Sequence, residues 1–418
     1  MAAALLAAPL IRTIDEGTRW TLMGFGIEGS RVVVGALASS LLTFIVFAFS
    51  IILLAVQLAG GQLSPRIIAR VFESRLAKIT LSAFVFSYTY TLAALSRIED
   101  RVPQLPVLVA VLSSLLSLAL FLYLIQKVSQ SFRPVMILTR IATDTRAVIN
   151  AVYPSPFGAC TEKRPAPDFN VLPTAKKILH GGRPGVVLAF DARGLMEKAR
   201  RAKITIELVP QVGDFLATGE EVFRLYGESA DAVMEADLRR CIMLGSERSL
   251  QYDPAFGFRI IVDIAEKALS PAINDSTTGV LAIDQIEHLL RLLGERQLDT
   301  GVVRDSSGEV RLVHRTPSWE DFVTLAVTEI RLYGGNSPQV TRRLMAMFEH
   351  LVQVVPAQRS EALQKELALL QRTIDRGFVY PADRSLAAVG DRQGFGSRQR
   401  DHNNGMAAKR DHESLAIE

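Results

Sequence analysis

Charge is missing where a soluble chain would carry it. From Val32 through Pro65 the sequence holds no Asp, Glu, Lys, Arg or His. About 20 helical residues, at 1.5 Å each, cross the ~30 Å hydrocarbon layer of a bilayer. This longer run therefore predicts a tilted spanning helix. Cysteine is scarce as well. Cys160 and Cys241 stand far apart with no partner motif, which excludes a disulfide framework and a thiolate metal site and suits a reducing compartment. The six histidines show no close metal-ligand spacing, so neither a metal nor another cofactor is expected. The net charge of only +4 gives no reason to expect a nucleic-acid partner. A G-x-x-x-x-G-K-[ST] phosphate loop and a G-x-S-x-G elbow are both absent, as is any evident nucleophile–base pair. The expectation is a protein that is not an enzyme.

Two further runs lack charge: residues 79–96, between Lys78 and Arg97, and residues 102–126, closed by Lys127. Together they predict a transmembrane domain over 31–128, with spans at about 32–59, 77–96 and 104–126. Residues 1–11, MAAALLAAPLI, are too short to span and are interrupted by Pro9. They read as an interfacial piece or the end of a truncated fourth helix, within an extracytoplasmic segment 1–30. Arg66, Arg70, Arg75 and Lys78 follow the first span, and Lys127, Arg133, Arg140 and Arg146 follow the third. The positive-inside bias places both on the cytoplasmic side, and with them the rest of the chain.

Within the first span Thr43, Ser50 and Gln57 recur every seventh residue, with Ser39 and Ser40 one turn earlier. Seven residues are nearly two turns, so these groups share one face. The stripe either lines a wet pathway or permits close packing against a neighbouring helix. Gly60 and Gly61 end the span. Gln62, Ser64, Pro65 and Arg66 then form a cytoplasmic elbow, with Ser64 placed to cap the next helix and Pro65 in its first turn.

Residues 134–152 have apolar positions at helical spacing and, with the prolines that follow, make a connecting segment over 129–158. Residues 159–228 alternate in strand fashion around a short helix capped by Asp191, which predicts a small β-barrel-like part. Residues 229–378 read as mainly helical, with a β-hairpin at 302–313 and a Ser318/Asp321 capping box. Residues 379–418, rich in Gly, Asn, Arg and Asp, read as a disordered tail. The fold expected is a membrane α-helical bundle followed by a cytoplasmic α+β domain with a barrel-like and a helical part. The richest polar cluster in the soluble part is Asp253, Arg259, Asp263, Asn274 and Asp275. Brought together, they could supply a base and an anion clamp. Taken singly, Asp253 and Asp275 cap helices, and Arg259 with Asp263 is a surface pair. The run His180 to Gly185 could cradle an anion or simply precede a strand.

Several stretches resemble the bacterial predicted-membrane-protein family known as domain of unknown function 2254. They are Gln57-Leu58, Gln62-Leu63-Ser64-Pro65-Arg66, Asp253-Pro254-Ala255-Phe256-Gly257, and Asp263-Ile264-Ala265 leading to Ala268-Leu269-Ser270-Pro271-Ala272-Ile273-Asn274-Asp275. The resemblance runs from about residue 20 to 378. It departs at Ser276-Thr277-Thr278-Gly279, where the family often has proline and then threonine-alanine. It implies a multi-pass protein of the bacterial inner membrane, usually with one more helix at the start, and no particular activity. The function expected first is an oligomeric channel or transporter with a cytoplasmic regulatory domain, since three helices alone enclose little. A membrane-anchored scaffold or sensor that binds a partner or ligand comes next, and a tethered enzyme third.

Overall fold

The computed structural model describes residues 26–62, 75–98, 104–131, 133–158 and 174–392, with Ala4, Leu5, Ala7, Pro9, Ile11 and Thr13 near the start. Ser64, Pro65 and Arg66 of the expected elbow lie outside the described residues, as do Pro165, Pro167 and the tail from 393. The chain divides into two compact units, Met1–Ile137 and Leu138–Glu418.

The first unit is helical. Helix α1 (Ile27–Gln62) contains a stretch, Ile27–Leu54, long and apolar enough to cross a membrane, and α3 (Gln104–Ser131) contains another, Gln104–Lys127. Helix α2 (Arg75–Leu95) is not among them. Thr80, Ser87, Thr89 and Thr91 dilute its apolar character, and all four are buried against the neighbouring helices. The three predicted spans thus reduce to two helices with the composition of a span and a third, more polar one packed with both. Phe44, Phe84 and Phe121, one from each helix, meet ring against ring. Ala4 is buried in a cluster with Tyr90, Ala94 and Ala110, so the helical residues of the N-terminal piece pack on α2 and α3. Arg31 donates to the Ile98 carbonyl at 2.8 Å and so ties the start of α1 to the residues just beyond α2.

The second unit is α+β. It starts within α4 (Pro134–Val152), which fills the range expected from its periodicity. Strands β1 (Lys176–Leu179), β2 (Gly185–Phe190), β3 (Thr205–Leu208), β4 (Phe215–Leu216), β5 (Glu221–Tyr226), β6 (Ile242–Gly245), β7 (Val302–Arg304) and β8 (Val310–His314) form two open sheets. One has the order β1-β5-β3-β8-β7 and the other β4-β2-β6. The barrel-like expectation is corrected here, since neither sheet closes on itself. The short strands and glycine turns that suggested a barrel instead build two layers. Helix α5 (Ala192–Ala202) packs its Leu195 and Ala199 into the core they share, with Ile178, Ile206, Phe223 and Leu312. The predicted hairpin exists as β7–β8, and it extends the larger sheet: β8 runs parallel to β3, with Ile206 opposite Leu312.

After the short α6 (Glu235–Arg239) come the long helices α7 (Pro254–Leu269), α8 (Ser276–Gly294), α9 (Trp319–Gly334), α10 (Pro338–Val354) and α11 (Ser360–Gly377). Their starts follow the local chemistry. Asp253 caps α7 with Pro254 at its first position, Asp275 caps α8, and Ser318 and Asp321 form the full capping box of α9. Phe258, Ile286, Leu290, Phe322, Leu344, Phe348 and Leu370 fill the helical core. Gly257 lets α4 approach α7. A Cβ there would lie 2.1 Å from Oγ1 of the fully buried Thr145. Beyond α11, where composition predicted disorder, α12 (Pro381–Ala387) is helical. Arg342 Nε holds its Leu386 carbonyl at 2.6 Å, and Ala387 is fully buried.

Candidate functional site

The candidate site is an open cleft of about 340 Å³ between α8 and α10, lined by Asp284, Glu287, His288, Arg291, Arg343, His350 and Arg392. Asp284, Glu287, His288 and Arg291 stand at i, i+3, i+4 and i+7 of α8, one face of the helix. The other face, with Ile283, Ile286, Leu289 and Leu290, is buried in the core. Arg343 and His350 lie two turns apart on α10. Arg392 comes from the segment after α12.

These side chains form a continuous chain of bonds. Arg343 Nε donates to Asp284 Oδ1 at 2.6 Å, and its Nη2 donates to Glu287 Oε2 at 2.5 Å. The second oxygen of Glu287 lies 2.5 Å from Nδ1 of His350, and Nε2 of His350 lies 3.0 Å from Nη2 of Arg291. A guanidinium can only donate, so Nε2 accepts and Nδ1 carries the proton given to Glu287. The geometry therefore holds His350 as the neutral Nδ1–H tautomer. Arg343 is only 5 % exposed, and its Nη1 is buried with no hydrogen-bond partner. A buried donor left unmade costs about 1–3 kcal/mol, more for a charged group. Among the described residues Arg291 pairs with no carboxylate.

The residues singled out from the sequence fall elsewhere and are not brought together. Asp253 accepts from the Phe256 amide at 3.0 Å and from Arg248 Nε at 2.5 Å. Asp275 accepts from the amide and hydroxyl of Thr278. Asn274 adopts a left-handed φ of 52° and gives its amide to the Ser270 carbonyl, shaping the turn between α7 and α8. Helix α7, 16 residues or about 24 Å long, separates Asp253 from the Asn274–Asp275 pair. Arg259, midway along it, binds Glu329 on α9 at 3.0 Å and lies 3.9 Å from Asp263. Each of these residues has a structural task. The run from His180 to Gly185 is a stapled turn: His180 Nε2 meets the Arg183 carbonyl at 2.9 Å, and Thr218 donates to the Gly182 carbonyl.

On α1, Thr43, Ser50 and Gln57 are exposed, as are Ser39 and Ser40. The stripe therefore does not pack α1 against α2 or α3. Thr43 and Ser50 each donate to a carbonyl of their own helix four residues back, at 3.1 and 2.9 Å. Gln62 closes α1.

The cleft residues escaped sequence reasoning because the ionisable face of α8 looks like any solvated helix face. The available signal was the coincidence of that face with Arg343 and His350 seven residues apart on a second helix.

Comparison with known proteins places these observations. The family model for predicted membrane proteins of domain of unknown function 2254 matches residues 1–350. Uncharacterized proteins of Mycobacterium tuberculosis and Mycobacterium bovis are 27 % identical to this chain over 380 residues, covering 87 % of it and 72 % of their own length. No solved structure matches.

Proposed function

The chain belongs to the family of predicted membrane proteins of domain of unknown function 2254, and from that premise we propose that it is a membrane-anchored receptor. In this reading α1, α2 and α3 hold it in the bacterial inner membrane, with α2 as a third crossing. The α+β unit lies on the cytoplasmic side and binds a small charged ligand in the cleft between α8 and α10. One observation carries the reading: an open cleft is lined by three arginines and only two carboxylates, and among the described residues Arg291 pairs with neither of them. The volume is at the low end for small-molecule sites. The basic residues Lys127, Arg133, Arg140 and Arg146 after α3 support the cytoplasmic assignment. Receptor rather than enzyme is the reading because Nε2 of His350, the imidazole tied into the carboxylate network, is occupied by Arg291. The test is thermal unfolding of the detergent-solubilised full chain against a panel of small charged molecules. A rise in Tm that Arg291→Gln abolishes supports the receptor; the absence of any such rise sinks it.

The outward stripe on α1 favours a second reading, an oligomeric channel or transporter. Thr43, Ser50 and Gln57 are exposed on a helix whose other side is packed, so copies arranged around an axis could share a polar lining. Gln57 is decisive, since an amide facing lipid costs several kcal/mol unless paired. Ion flux into liposomes that falls with Gln57→Leu supports this reading, and flux absent from the wild type rejects it.

A further inference from the structure

The chemistry of the cleft defines what it takes, an inference that rests on reading the cleft as a ligand site. Every permanent cation lining it is an arginine, and the three arginines face two carboxylates, a surplus of one positive charge. They arrive from three parts of the chain: Arg291 on α8, Arg343 on α10 and Arg392 after α12. Arg343 spends Nε and Nη2 on Asp284 and Glu287, and its Nη1 is buried, so it contributes charge to the cleft from beneath. Arg291 spends one donor on a neutral histidine and none on a carboxylate. Guanidinium donors suit oxyanions by geometry as well as charge. A planar carboxylate fills the fork of one arginine. A tetrahedral anion offers three free oxygens, one toward each of three donors coming from different directions. His288, on the turn between Glu287 and Arg291, adds a further donor at the rim.

We propose that the cleft between α8 and α10 binds a phosphate group, carried either by a soluble phosphomonoester or by a lipid headgroup, with Arg291, Arg392 and His288 as its donors and the buried charge of Arg343 behind them. Arg343 is the pre-oriented member, fixed by Asp284 and Glu287. Arg291 and Arg392 supply the guanidinium donors that line the cleft.

The experiment is isothermal titration of the full chain in detergent with inorganic phosphate, glycerol 3-phosphate and a short-chain phosphatidic acid as probes and citrate as the non-phosphate anion. Arg291→Gln and Arg392→Gln are the variants. Arg392 is exposed, so its replacement does not threaten the fold if Arg291→Gln fails to fold. Arg201→Gln, on the exposed face of α5, is the control. Saturable binding of phosphate or glycerol phosphate, weakened about tenfold or more by either variant and unchanged in the control, supports the proposal with a soluble ligand. The same pattern seen only with phosphatidic acid supports it with a lipid headgroup. Citrate binding that depends on Arg291, without binding of any phosphate probe, overturns the phosphate assignment and leaves the receptor standing. No Arg291-dependent binding of any of these anions up to roughly 10 mM overturns both.

Discussion

In the first unit Thr43, Ser50, Thr89, Thr91 and Ser114 each give their hydroxyl proton to a carbonyl four residues back in the same helix. In the second, polar side chains reach across the fold. Arg343 binds two acids on α8, Arg331 meets Glu366 on α11, and Arg359 donates to the Leu293 and Arg296 carbonyls at the end of α8. With the first unit read as a membrane anchor, the difference is one of solvent. A helix in hydrocarbon has no water to fall back on, so its polar groups are best closed within the segment itself. A unit with water at its surface can bury a guanidinium provided that carbonyls, carboxylates or aromatic faces meet it. Thr145 and Thr373 close on their own helices in the second unit too, so what sets that unit apart is its bridging arginines. Two side chains of the first unit do cross: Ser87 meets Ser117 at 2.9 Å and the Ser113 carbonyl at 3.0 Å, and Arg31 donates to the Ile98 carbonyl.

Five substitutions probe this contrast, taken from the largest expected effect down. Arg359 is buried between Phe157 and Trp319, and burial pushes its pKa down. Its charge is met by the C-terminal carbonyls of α8, where the helix dipole favours a cation. Arg359→Ala should lower the stability of the second unit by about 3 kcal/mol, read as a drop in its Tm. A loss under about 1 kcal/mol would mean that the long-range cap is ornamental. Gly257→Ala should cost about 1–3 kcal/mol, because Thr145 is stiff at χ1 and has no room to withdraw. An unchanged Tm would show that α4 can slide on α7.

Acid should act on the second unit through Asp305. Hydrogen bonds from Ser307 and then Arg311 hold this carboxyl well below its ordinary 3.8. A depressed folded-state pKa adds stability that is fully present above the unfolded value and lost as pH falls from there toward the folded one. Asp305→Asn should therefore flatten the fall in Tm below about pH 4, and a fall as steep as the wild type's would assign acid sensitivity to other groups. The smallest effects belong to the first unit. Ser87→Ala should cost about 0.6 kcal/mol, the usual size for a hydrogen bond between membrane helices, and Ser50→Ala less, since it breaks only a bond within its own turn. Equal losses for the two, measured by refolding from denaturing detergent, would erase the distinction between crossing and self-closing hydroxyls.

Much of the local structure was legible. Asp253, Asp275 and Ser318 each cap the helix they announce, and α4, α7 and α10 occupy the residues their apolar spacing indicates. The barrel was misjudged because glycine turns between short strands specify hairpins but not whether a sheet closes. The helix at Pro381–Ala387 was hidden because its order comes from Thr341 and Arg342 on α10, which hold the Ala387 and Leu386 carbonyls, and not from its own composition. The five polar residues that looked like a site are two caps, an ion pair and a turn residue, while the cleft's cluster of charge draws on two helices and a segment after the last one.

What the chain's order of residues determined alone was everything that acts over a few positions: the uncharged runs that suit a bilayer, the caps, the helical and strand periods and the family motifs. Those effects need only neighbours one or two turns away. Tertiary structure alone decided which way the α1 stripe faces, how the β7–β8 hairpin joins β3, and that Arg343 should sit beside Asp284, Glu287 and His350. A buried charge takes whatever partner the packing of distant elements brings within about 3 Å, and that proximity is written in no single stretch of sequence.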